Sequence, residues 1–140
     1  DNHCLFRAVA HQVYGDPERH EEVREAACDW LNTEGRRKFS HLNMITNQYI
    51  SDMRQEVWGG ELEITAMEHI YRRNIRIREN GNWVNRGFLW ENFDYSIRVE
   101  RVGEIHYNSL SDPSDSDHWP LGHGSGSGGG GSGMALQWQH

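Results

Sequence analysis

The chain has 140 residues, 36% of them hydrophobic and 25% charged, with a formal net charge of −7 at neutral pH. That size suits one domain with one core, and the acidic balance argues against a nucleic-acid protein that relies on a basic surface. No apolar run approaches the ~18 residues of a membrane span, no secretory h-region opens the chain, and two cysteines are too few for a disulfide scaffold.

Cys4 to Tyr14 places Leu5, Phe6, Val9, Ala10 and Val13 on one side, which predicts a helix stopped by Gly15 and Pro17. His20 to Leu31 repeats the pattern through Val23, Ala26, Ala27 and Trp30, and Arg36 to Leu42 reads as a short helical turn. A third helix is expected over Ile45 to Val57, ended by Trp58-Gly59-Gly60, and a fourth over Glu61 to Arg73. After Asn74 the period changes to two. Ile75 and Ile77 alternate with Arg76 and Arg78 up to the turn Asn80-Gly81-Asn82, and further strands are expected over Tyr95 to Val102 and Glu104 to Leu110. Helices first and strands late imply an α/β (α+β) domain, a small central sheet flanked by helices.

Residues 124–133 read Gly-Ser-Gly-Ser-Gly-Gly-Gly-Gly-Ser-Gly, the composition of a designed flexible linker, and span ~16–19 Å as a coil. The acidic stretch 111–123 before it is expected to be a mobile tail of the domain 1–123. After it, Met134, Leu136 and Trp138 alternate with polar or small residues over Met134 to His140, a predicted strand. A circular permutation explains this order: the linker would join an original C-terminus to an original N-terminal strand that once led into Asp1. An appended peptide or tag is the other explanation.

Two places carry chemistry. Cys4 begins an amphipathic helix, where unpaired N–H groups and the helix dipole favour a thiolate. His106 and Asn108 sit two apart on a predicted strand and share a face, an imidazole with an amide to orient it. Spacing alone does not establish a site, because a cysteine beginning a helix is more often a core residue. Cys28, mid-helix between Ala27 and Asp29, is read that way. There is no metal-binding spacing of the HExxH or CxxC kind, and no Cys-x5-Arg phosphatase loop starts at Cys4 or Cys28.

Three motifs in order add the specificity that spacing lacks. Asp1-Asn2-His3-Cys4-Leu5-Phe6-Arg7-Ala8 resembles the Asp-Gly-x-Cys-Leu-Phe-Arg-Ala motif of the ovarian-tumour (OTU) family of cysteine deubiquitinases. Trp58-Gly59-Gly60 resembles its Trp-Gly-Gly segment, and His106-Tyr107-Asn108 its closing His-Tyr-(Asn/Asp) motif; the likeness covers about residues 1–110. The resemblance implies a papain-like OTU fold and hydrolysis of isopeptide or peptide bonds after the C-terminal glycine of ubiquitin. It implies Cys4 as nucleophile, His106 as base and Asn108 as its orienter, with Asp1 also in the catalytic set. The turn of Asp1, Asn2 and His3, with the N–H of Cys4, would receive the oxyanion. Trp58, Gly59, Gly60, Glu61 and Tyr107 would line the channel for a Gly-Gly tail.

No cofactor or metal is implied. Asn2 stands where the family usually has glycine, and asparagine is among the residues that tolerate φ > 0. The implied partner is ubiquitin or polyubiquitin, with no nucleic acid and no membrane; the implied state is a monomer in the cytosol, of the source cell or of a host. Glu61 and Glu63 are candidates to meet the arginine-containing tail of ubiquitin. The alternatives are a protease for another ubiquitin-like modifier and an impaired ubiquitin-binding module. Taken alone, Trp58-Gly59-Gly60 reads equally as a helix break with a buried indole.

Overall fold

The computed structural model describes residues 2–55, 57–88, 91–103, 106–111, 119–120 and 134–136. Asp1, the linker 124–133 and residues 137–140 lie outside the described residues. So do 112–118 and 121–123 of the acidic segment and the expected strand start at Glu104 and Ile105.

Helix α1 spans Cys4–Tyr14 and closes on Gly15 at φ 72°, whose N–H returns to the carbonyl of His11. It is buried almost all round, Cys4, Leu5, Phe6, Ala8, Val9 and Ala10 included. Helix α2, His20–Trp30, runs without a break through a π-turn at Leu31–Gly35 into α3, Arg36–Lys38. The separate turn expected over Arg36 to Leu42 is therefore the end of one long helix, followed by a 3₁₀ turn at Ser40–Leu42. A methyl on Gly35 would lie 3.1 Å from Leu31 and 3.2 Å from Ile45, so glycine lets the chain close there.

Helix α4 is shorter than its apolar pattern suggests, Asn47–Met53, because Thr46 caps it by accepting from the N–H of Tyr49 and the chain turns at Arg54. Helix α5, Glu61–Tyr71, ends on Arg72 at φ 55° and passes directly into β1, Arg73–Glu79. Asn80 and Gly81 both take positive φ, 51° and 82°, the geometry of a tight hairpin turn into β2, Asn82–Val84.

The remaining strands are β3 (Tyr95–Val102), β4 (His106–Ser111), β5 (Trp119–Pro120) and β6 (Met134–Leu136). The sheet order is β2-β1-β3-β4-β6, with β5 against the start of β3. The pair β1–β3 is parallel and the others antiparallel, a mixed sheet that period-2 patterning cannot announce. Ile75, Ile77, Ile97 and Val99 are fully buried in the core shared with α1, α2 and α5.

Gln12 locks α1 onto the sheet. The ladder on one side of β3 passes from Trp119 opposite Ser96 to Ser109 opposite Val99, leaving Arg98 between them. The Gln12 side chain fills that gap as a peptide group would. Its Oε1 accepts from the Arg98 N–H at 2.9 Å, and its Nε2 donates to the Arg98 carbonyl and to Ser109 Oγ at 2.8 Å. Ser109 Oγ also meets His11 Nδ1 at 2.7 Å. Buried polar groups are tolerated only when answered in this way, and the result fixes the C-terminal end of α1 against β3 and β4.

Candidate active site

Cys4 is 1% exposed, at the first turn of α1. Burial pushes its thiol up; the backbone N–H groups of Tyr107, Leu5 and Cys4 itself pull the other way without overcoming it. The helix-start effect expected from the sequence is present, but desolvation wins. At neutral pH the resting group is a thiol, so its reaction needs a base. Tyr107 on β4 lies between His106 and Asn108, so this backbone contact brings the sulfur to the strand that carries them.

On β4, His106 Nε2 and Asn108 Oδ1 lie 2.9 Å apart. An amide oxygen only accepts, so the imidazole donates through Nε2 and keeps Nδ1 as its acceptor nitrogen. Asn108 is 3% exposed, which shields that bond from water.

Trp58, Gly59, Gly60 and Glu61 form the approach to α5 and, with Ile64, Arg86, Arg101 and Tyr107, line a cleft of about 120 Å³. Gly59 lies over α1: an added methyl would come within 3.0 Å of both Leu5 and Phe6, the residues that follow the cysteine. Trp58 is 45% exposed, so the reading of a buried indole does not hold. Glu79 ion-pairs with Arg86 at 2.5 Å and Arg101 at 3.2 Å, which fixes both arginines at the cleft wall.

Glu63 does not meet solvent or a substrate tail; it is 1% exposed. Its Oε1 accepts from the Gly60 N–H at 2.6 Å and its Oε2 from the Tyr49 hydroxyl, so it ties the Gly-Gly loop to α4. Burial pushes both Glu63 and Tyr49 up from their ordinary values. Glu63→Ala leaves two half-buried donors without their acceptor and is expected to cost about 1–3 kcal/mol. Glu63→Gln, which keeps an acceptor, should cost less. Denaturant midpoints check both, and an unchanged midpoint in Glu63→Ala would show that the carboxyl does not hold the loop.

Sequence reasoning missed a second hollow of about 280 Å³ that shares Trp58, Gly60 and Glu61 with the cleft. Met44, Val57 and Phe88 line it and are 41–46% exposed. Met44 and Phe88 lie outside the helical stripes, where a large apolar side chain that no periodicity explains is the available signal; Val57, expected on the face of the third helix, falls beyond the end of α4 at Met53.

Among the described residues, His3, His20 and Glu21 bring three possible ligand atoms within 4.8 Å. Arg24 donates to His3 Nδ1, and burial followed by the Arg7 and His3 charges hold His20 below its ordinary value. Two guanidinium groups so close oppose a cation, and the rings instead pack at 4.5 Å between centroids.

The fold, with a buried cysteine at the start of α1 and the His106–Asn108 pair on β4, is that of the papain-like cysteine proteases. Residues 1–111 match the family described as OTU-like cysteine protease, and the chain belongs to that family. It is 35% identical over 117 residues to OTU domain-containing protein 5-A of Danio rerio, covering 81% of this chain and 21% of that protein. It is 37% identical over 122 residues to OVARIAN TUMOR DOMAIN-containing deubiquitinating enzyme 6 of Arabidopsis thaliana, covering 81% and 23%. The chain thus spans about a fifth of the length of these relatives.

The solved OTUD1 OTU domain superposes with a TM-score of 0.69 at 27% identity, covering 78% of this chain and 79% of that one. An ovarian tumour (OTU) domain solved in complex with ubiquitin gives 0.69 at 24% identity, covering 86% and 70%. The fold is that of the OTU proteases.

Proposed function

We propose that this chain is a cysteine deubiquitinase that cleaves isopeptide and peptide bonds after the C-terminal glycine of ubiquitin. The observation that carries the reading is the His106–Asn108 pair at 2.9 Å, with the backbone of the intervening Tyr107 on the Cys4 thiol. In this mechanism His106 Nδ1 takes the Cys4 proton as Sγ attacks the glycine carbonyl. The tetrahedral oxyanion is received by the Cys4 N–H and the turn of Asp1, Asn2 and His3, each good donor contributing ~3–4 kcal/mol in comparable sites. His106 then protonates the departing lysine amine, leaving a thioester on Cys4, and water deprotonated by the same imidazole releases the ubiquitin carboxylate.

The narrow cleft lined by Gly59 and Gly60 suits an extended tail of two glycines, with Trp58, Glu61 and Tyr107 as its walls. The neighbouring hollow with Met44, Val57 and Phe88 suits the body of the modifier. The names of an Arabidopsis deubiquitinating relative and of a ubiquitin-bound structural neighbour support the substrate class. We read the protein as a cytosolic monomer. The pairing of β6 with β4 supports the permutation reading of Met134–His140 over that of a passive tag.

The test is reaction with ubiquitin carrying a C-terminal electrophile, read as a mass shift, beside electrophiles built on other ubiquitin-like modifiers. One ubiquitin adduct mapped to Cys4 is expected. A preferred adduct with another modifier, an adduct on Cys28, or binding without an adduct would each overturn the reading.

A further inference from the structure

Arg24 on α2 has no exposed surface, and the chemistry proposed above does not use it. A guanidinium offers five donors in a fixed plane and accepts nothing. Here Nη1 donates to the carbonyl oxygens of Met53 and Val57, both at 2.8 Å. Nη2 donates to the Asn2 carbonyl at 2.9 Å and to His3 Nδ1 at 3.1 Å. Its Cζ lies 4.3 Å from the centre of the Phe6 ring.

The two sets of acceptors belong to different parts of the site. Asn2 and His3 are the residues directly before Cys4, and Val57 directly precedes Trp58, Gly59 and Gly60. One side chain therefore joins the turn that leads to the cysteine and the loop that walls the cleft. Filling this space with leucine or methionine would avoid the desolvation of a charge, and what those residues could not do is bond to both loops at once. Lysine keeps the charge but lacks the planar fork.

We infer that Arg24 is a positioning residue that assembles the turn before Cys4 and the Trp58–Gly60 loop as one unit. The inference rests on the reading of Cys4 as the nucleophile. Because Arg24 only donates, it holds the lone pair of His3 on Nδ1 and the ring proton on Nε2. Losing the fork should release the turn, which lowers kcat, and the cleft wall, which raises KM, in the same variant.

The experiment uses the full chain with Arg24→Lys and Arg24→Met, and Cys4→Ala as the inactive control. Folding is checked by circular dichroism, kcat and KM are measured on a fluorogenic ubiquitin C-terminal amide, and the His3 tautomer is read from ring ¹⁵N shifts. Folded Arg24→Lys is expected to lose about 10²-fold in kcat/KM, divided between kcat and KM, and to mix the two His3 tautomers. A folded variant with both constants within about twofold of the parent, or with His3 unchanged, overturns the inference.

Amide exchange in the parent decides the matter if neither variant folds. Amides of residues 2–5 and 57–60 should open in one step with one denaturant dependence, and independent opening overturns the inference. A parent that opens in one step but turns over no ubiquitin substrate would sink the functional reading and leave the coupling intact.

Discussion

Replacing Cys4 with alanine is expected to lower kcat/KM for a ubiquitin C-terminal amide by on the order of 10⁴–10⁶-fold, the usual result of removing a nucleophile that acts as a unit with its base. Cys28 cannot take over: it is buried in α2, and desolvation pushes its thiol up to about 11. His106→Ala should cost nearly as much, because the Cys4 thiol is itself pushed up by burial and needs a base to become a nucleophile. Asn108→Ala should cost less, about 10²-fold, because it removes no reacting group. It removes the bond that keeps the proton on His106 Nε2 and the ring in one orientation. The ubiquitin affinity of Cys4→Ala should stay close to that of the parent, since the cleft walls come from the Trp58–Glu61 loop, β4 and two arginines. Steady-state kinetics on the three variants check the order. Measurable turnover in Cys4→Ala, or a larger loss in Asn108→Ala than in His106→Ala, would sink the assignment.

Much of the scaffold was legible because burial on one side writes a period into the chain. The apolar positions of Cys4 to Tyr14 and the alternation of Tyr95 to Val102 mark the limits of α1 and β3 as observed. What stayed hidden is polar and long-range. Gln12, Arg24, Glu63 and Glu68 are polar residues to which a one-dimensional apolar pattern gives no buried place, yet each is 4% exposed or less. Each answers backbone groups of a segment distant in sequence or just beyond its own element. A period reports which face is buried; it does not name the partner. For the same reason the parallel pairing of β1 with β3 and the continuity of α2 through its π-turn left no trace that patterning could read. The candidate site residues were named from their motifs. The geometry came from the structure, including the choice between Glu61 at the cleft and Glu63 beneath it.

Stability should fall as pH rises from about 5 to 8, and Glu68 should be a principal cause. Glu68 on α5 is fully buried, accepts from the Ile75 N–H at 2.8 Å, and is pushed by desolvation up to about 7 from the ordinary 4.5. Gly87 packs against it so closely that a methyl there would sit 2.3 Å from Oε1. The sign follows from proton counting. Between pH 4.5 and about 7 the folded chain keeps a proton that the unfolded chain has lost, so each unit of pH removes ~1.4 kcal/mol of stability. The loss totals about 3 kcal/mol and levels off above the folded-state value. His20 and His69, both held below their ordinary value chiefly by burial, act in the opposite direction, losing stability as pH falls below the ordinary histidine range. Glu63, pushed up by burial, adds to the Glu68 trend. Comparing the parent with Glu68→Gln at each pH isolates the Glu68 contribution, since the two histidines and Glu63 are common to both. Denaturant unfolding across pH 5 to 8 should show the variant gaining on the parent by about 2.5 kcal/mol over that range. A difference that does not change with pH would mean that Glu68 titrates near its ordinary value and that its burial is relieved by water.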